Sequence, residues 1–179
     1  MGRWSARPEG PMSAPLPRPR RVYGTLAAAE MVTWTLLIVG MVATYLLDAG
    51  HMPVRVGGGV HGFVFLAYVL VTLVVAVDQR WPVRDLALGL ASAVVPYATV
   101  PFERSAERRD LLGDRWRLLE AGAAAGLAGR LVAAGLRRPV LAVLVGLVAV
   151  VGVFVLMLAL GPPTQWFAAP EQSRPLAEV

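Results

Sequence analysis

The sequence predicts an all-α protein: an integral membrane helical bundle with a three-helix core and one additional C-terminal transmembrane helix. Three observations lead there. Of 179 residues, 56% are hydrophobic and only 16% charged, with mean hydropathy +0.60, too little polar surface for a chain to cover itself in water. The apolar residues also gather in stretches of about 20, the length that crosses a hydrocarbon core of about 30 Å. Finally, all 17 basic residues are arginine, they outnumber the 12 acidic ones, and they flank the apolar stretches. They form no separate basic domain, so the charge excess orients the chain in a bilayer and nucleic acid is not an expected partner. The lack of cysteine excludes disulfides, thiolate metal sites, thiol nucleophiles and a lipoprotein anchor.

Residues 1–21 are rich in Pro, Arg and small residues without apolar period, which predicts a disordered tail. Residues 23–47 form the first span, with Glu30 as its only charge. This run is about twice as long as a signal-peptide apolar region, so it reads as an uncleaved anchor. A short polar loop, 48–55, leads to a second span from about Val56 to Val77, and Asp78–Pro82 turns the chain with Trp81 as an interfacial aromatic. A weaker third span covers 84–102, where Pro96 removes a backbone donor mid-helix and a neighbouring helix or the Ser92 hydroxyl is expected to help satisfy the freed carbonyl.

Residues 105–138 then form a charged linker and an Ala/Gly-rich helix. Its 119–136 stretch carries Arg130 and is only weakly apolar, so an interfacial or packed helix is favoured over a crossing. Residues 139–161 hold the additional span, uncharged throughout 139–160, and 162–179 form a second disordered tail.

The chain is therefore expected in the cell membrane as a multi-pass protein. Five arginines before the first span favour a cytoplasmic N-terminus. That orientation carries a conflict. Three crossings place residues 103–138, with eight arginines, on the outer side, against the positive-inside tendency.

Across residues 22–104 the order of signals resembles a family of small bacterial membrane proteins, the DUF3817 or "HG" family. The features are Ala27-x-x-Glu30 in the first helix and His61-Gly62 at the opening of the second. A Pro96-Tyr97 then Pro101-Phe102-Glu103-Arg104 ending closes the third. The resemblance implies a three-helix membrane domain and no particular reaction.

The stretch Gly57-Gly58-Gly59-Val60-His61-Gly62 also matches a dinucleotide-binding fingerprint. That motif needs a strand before the glycines and a soluble helix after them, and apolar membrane segments on both sides exclude it. Gly58 and Gly62 instead have the small-xxx-small spacing that lets membrane helices approach closely. Glu30, His61, Gly62 and Glu103 are the functional candidates. Charged or ionisable groups at membrane depth carry a functional expectation because lipid exposure is costly. Ideal geometry separates Glu30 from His61 by roughly 8–15 Å along the membrane normal, so direct contact is not expected. Ser92 or an arginine stem is the partner expected for Glu30.

A third crossing would put His61 at the face carrying Asp48, His51, Glu103 and Arg104. A tie from His61 to Glu103 follows, and Asp48, His51, His61 and Glu103 are the residues from which a metal site would have to be built. Their spacing matches no metal motif, and no cofactor is expected. The mixed-charge run from Glu103 to Arg117 reads as a solvated helix laced with ion pairs, or else as a headgroup- or partner-docking face with Trp116 towards the membrane. With no nucleophile–base pair in the sequence, an enzyme is disfavoured. The favoured class is a non-enzymatic scaffold or accessory membrane subunit, whose partners are the lipid bilayer and a second copy or another membrane protein. The alternative is a small proton-coupled carrier using Glu30 and His61.

Overall fold

The computed structural model describes residues 16–120 and 126–160, all of its regular structure helical. The helices are α1 (Pro19–Tyr45), α2 (Met52–Gln79), α3 (Val83–Val94), α4 (Thr99–Arg108), α5 (Gly126–Arg137) and α6 (Pro139–Leu160). A 3-10 turn lies at Arg117–Leu119. Of the expected tails at 1–21 and 162–179, residues 1–15 and 162–179 lie outside the described residues, as do 121–125 and 161, while residues 19–21 of the first tail are not disordered but open α1.

Among the described residues, three helices are long and apolar enough to cross a membrane: α1, α2 and α6. The protein is a helical membrane bundle. Each span begins earlier than, or where, its apolar run does. Pro19 and Pro53 sit in the first turns of α1 and α2, where a missing N–H costs nothing. The glycine run therefore lies inside α2 and does not open it.

Residues 84–102 do not form the one continuous helix expected there but divide into α3 and α4. Pro96 disfavours helical backbone at Val95, and Val95 is extended (φ −93°, ψ 122°). α3 stops, Tyr97 takes a left-handed conformation (φ 64°), and α4 runs back beside α1. The order of contacts along α4 shows the return. Thr99 Oγ1 donates to Ala27 O at 2.9 Å, Glu103 lies beside Gly24, and Glu107 pairs with Arg20 at 2.6 Å. α3 and α4 thus form a re-entrant hairpin whose two feet are tied by the Arg109–Asp85 ion pair.

Irregular backbone at membrane depth is tolerated only where protein satisfies it, and the tip of the hairpin meets that demand. Ala98 N donates to Val95 O at 3.1 Å, the Trp34 indole donates to Ala93 O at 3.3 Å, and Thr35 Oγ1 donates to the Tyr97 hydroxyl at 3.3 Å. The expected help from Ser92 is not given there. Its hydroxyl donates to Gly89 O at 2.7 Å and meets the Tyr68 hydroxyl at 3.1 Å.

Because the hairpin returns, the start of α1, the end of α2 and residues 102–118 share one end of the bundle. Buried Tyr23 packs against Trp81 and Phe102, with ring centroids 5.7 and 6.4 Å away. Trp81 is not an interfacial aromatic. It is 8% exposed, and its indole donates to Leu111 O at 2.6 Å. The Asp78 carboxylate, fully buried, accepts from the backbone N–H of Arg117 (3.2 Å) and Leu118 (2.9 Å). The Trp116 indole donates to Pro17 O at 2.9 Å.

α5, 12 residues and about 18 Å long at 1.5 Å per residue, is too short to cross. It packs on the 3-10 turn, α2 and the start of α6. α6 then runs antiparallel to α2, from Ala142 beside Val71 and Val74 to Phe154 against Gly62. Thirteen of the fourteen arginines among the described residues gather at this one end. Arg55 alone lies at the other.

Candidate functional site

α1 and α2 pack with their polar and small residues facing inward. The buried seam of α1 is Tyr23, Ala27, Glu30, Thr33, Gly40 and Thr44, and that of α2 includes Gly57, His61, Tyr68 and Thr72. Spacings of three, four and seven place these residues on one face of each helix. Two glycines set how closely the helices approach. A Cβ on Gly40 would lie 2.6 Å from Pro53 O, and one on Gly57 would lie 2.8 Å from Leu36 O. A Cβ on Gly58 would meet only Leu37 Cδ1, at 3.8 Å, and one on Gly62 would lie 3.2 Å from the Phe154 ring of α6.

This close approach brings together two groups expected to lie apart. Glu30, fully buried, and His61, 9% exposed, stand 3.8 Å from each other, Oε2 to Nδ1. The axial estimate took α2 to open at the glycines. With α2 beginning at Met52, His61 lies in its third turn, a turn deeper than that estimate placed it. The Thr33 hydroxyl completes the group, 3.3 Å from His61 Nδ1 and 3.5 Å from Glu30 Oε2, while also lying 3.0 Å from Glu30 O. Trp34 stacks on the imidazole with ring centroids 4.4 Å apart. Glu30 Oε1 is buried and has no hydrogen-bond partner among the described residues.

A second polar layer lies between this group and the arginine-rich end. The Tyr23 and Tyr68 hydroxyls are 2.6 Å apart, and Thr72 Oγ1 donates to Tyr68 O at 2.8 Å. Ser92 belongs to this layer and is not the partner of Glu30.

The geometry limits the chemistry. Thr33 and Glu30 both approach the same imidazole nitrogen, Nδ1. A nucleophile–base–acid relay needs the two partners on opposite nitrogens of the ring, so the group is not built for acyl transfer. At 3.8 Å the carboxylate and imidazole share no direct hydrogen bond, the Thr33 hydroxyl lies within reach of both, and the lone pairs of Oε1 remain open to a further donor.

The four residues considered for a metal are not brought together. Asp48 and His51 lie in the loop at one end, Glu103 sits beside Gly24 at the other, and His61 faces Glu30. The returning α4 takes Glu103 away from His61, so the tie expected between them is not made. Burial pushes the Glu103 carboxyl up, Glu107 adds to this, and Arg104 and Arg20 oppose it.

Thr33, Trp34 and Gly40 were not singled out from the sequence, and Gly57 entered only through the excluded nucleotide fingerprint. Their signal was present as the seam of polar and small residues at helical spacing around Glu30 and His61.

The family model DUF3817, described as a domain of unknown function, matches residues 20–108. A Streptomyces coelicolor protein named "Putative membrane protein SCO5905" is 35% identical over 89 residues, 49% of this chain and 10% of that protein. "Uncharacterized protein Rv1342c" of Mycobacterium tuberculosis and "Uncharacterized protein Mb1377c" of Mycobacterium bovis are each 29% identical over 89 residues. Those matches cover 46% of this chain and 73% of theirs. No solved structure matches the chain.

Proposed function

Because the chain belongs, through residues 20–108, to the DUF3817 family, we propose that it is a non-enzymatic accessory subunit that works beside a larger membrane protein. The size contrast among its relatives carries this reading. The matched segment is 73% of the mycobacterial proteins but 10% of the Streptomyces one. One domain thus occurs nearly alone and also as a small part of a much longer chain named as a membrane protein. A module used in both ways is suited to docking on a larger membrane partner. The outer faces of α1 and α6 support it, with Val32, Leu36 and Val39 on one and Val148, Val155 and Leu158 on the other left exposed. Association of such faces in lipid rests on close packing. The arginine-rich end lies in the cytoplasm, since arginine bias sets orientation, and the re-entrant hairpin removes the conflict that three crossings create.

Extraction in a mild detergent, with the mass of the complex measured by light scattering, tests the reading. A mass well above the 19.1 kDa chain, with a multi-span partner identified by mass spectrometry, is expected. A monomer both in detergent and in nanodiscs overturns it.

One observation favours a second reading, a proton-coupled carrier: the buried Glu30 with its open Oε1 beside His61. Vesicles holding the protein and a trapped pH dye separate the two. Proton movement abolished by Glu30→Gln supports the carrier, and none in the unmodified protein removes it.

A further inference from the structure

The two arms of the re-entrant hairpin leave an open groove of about 590 Å³ on the outer side of the bundle. Its floor is Phe102, which reaches α3 because Gly89 has no side chain. A Cβ there would lie 3.1 Å from both the Phe102 ring and Thr72 Cγ2. Leu88 and Ala91 of α3, Val95 just after it and Pro101 of α4 form exposed apolar walls. The hairpin tip reaches Thr35, sixteen residues and about 24 Å along α1 from Pro19, so the groove runs from the headgroup level into the hydrocarbon. Water does not fill an apolar space at that depth, and an empty groove would forfeit dispersion contacts along both helices.

The charges at its mouth select the occupant. Arg109 is committed, bound to Asp85 and to Ser105 O. Arg84, in the first turn of α3 and exposed, has a side chain that makes no hydrogen bond or ion pair among the described residues. It stands at the arginine-rich end, at headgroup depth, with a stem long enough to keep its guanidinium at the interface. Basic pockets between membrane helices on the cytoplasmic side suit anionic headgroups.

We propose that this groove binds an anionic phospholipid of the adjacent leaflet, with one acyl chain between α3 and α4 and the phosphate at Arg84. The assignment stands apart from the accessory-subunit reading.

Native mass spectrometry of the full chain, released from nanodiscs of mixed phosphatidylglycerol and phosphatidylcholine, tests it. Phosphatidylglycerol is expected to be retained in preference. Arg84→Ala, at an exposed position, should weaken that retention about fivefold, the value of one arginine at a charged surface, and Arg84→Lys should restore most of it. Ala91→Trp, which fills the groove from another exposed position, should remove retention of either lipid. Equal retention of the two lipids, or phosphatidylglycerol held undiminished by both Arg84→Ala and Ala91→Trp, overturns the proposal. So does a protein partner found cross-linked to Ala91 in place of lipid.

Discussion

Replacing Gly57 by alanine would place a methyl carbon 2.8 Å from Leu36 O and 3.2 Å from Leu37 Cα. Optimal carbon contacts lie at about 3.5–4.0 Å, so α1 and α2 must part by roughly half an ångström or more. Overpacking of this kind costs about 1–3 kcal/mol. The next residue is the control. A methyl on Gly58 meets only Leu37 Cδ1 at 3.8 Å, an ordinary contact. Both substitutions lie in one helix, one position apart, and share the helix-propensity gain of about 0.5–1 kcal/mol. That gain cancels in the comparison. Gly57→Ala should therefore be less stable than Gly58→Ala by about 1–3 kcal/mol, with Gly58→Ala neutral or stabilised. Unfolding in mixed micelles, followed by far-ultraviolet circular dichroism, measures both. Equal stability of the two variants, or a greater loss for Gly58→Ala, would refute the assignment of Gly57 as the contact between the backbones.

The remaining expectations concern topology, anchoring and pH. Since the chain has no cysteine, single substitutions Arg80→Cys and Asp114→Cys should label from the same side of the membrane, and Asp48→Cys from the other. Opposite labelling of the first two would rule out the re-entrant hairpin. Asp78→Ala leaves the buried amides of Arg117 and Leu118 without their acceptor, a loss of about 1–3 kcal/mol. Faster hydrogen exchange at those amides checks it, and unchanged protection counts against the contact. The folded-state proton affinity of Glu103 is raised, so its contribution is complete below the ordinary carboxylate range and is lost as pH rises through the folded value. Glu103→Gln should then match the parent in melting temperature at acid pH and exceed it at alkaline pH; parallel curves would show that burial of this carboxyl has no such effect.

The site connects these features. Glu30 and His61 are costly groups at membrane depth, and they meet only because Gly40 and Gly57 remove the side chains that would hold α1 and α2 apart. Stability, the state of the pair and any proton chemistry are therefore tied to the same two glycines.

Much of the fold was legible in the sequence because hydropathy is a local property. A run such as 139–160, uncharged from end to end, has no low-energy place but lipid, and it forms α6 at those residues. The first two spans were likewise legible, with ends shifted by the early prolines. Glu30 and His61 were recognisable as ionisable groups in apolar runs, although their partners were not.

The course of residues 84–102 could not be read in this way. A crossing with a kink at Pro96 and a hairpin that turns back there have the same local composition. Contacts distant in the sequence decide between them: Trp34 on Ala93 O, Thr35 on Tyr97, and Thr99 on Ala27 O. The reversals at 48–55 and 78–82 were legible as polar turns, whereas those at Tyr97 and Asp110, where residues other than glycine take positive φ, were not. The sequence by itself determined which solvent each segment enters. Only the tertiary structure decided which end each segment returns to, because backbone groups exposed at a break in the membrane must find partners, and here α1 supplies them.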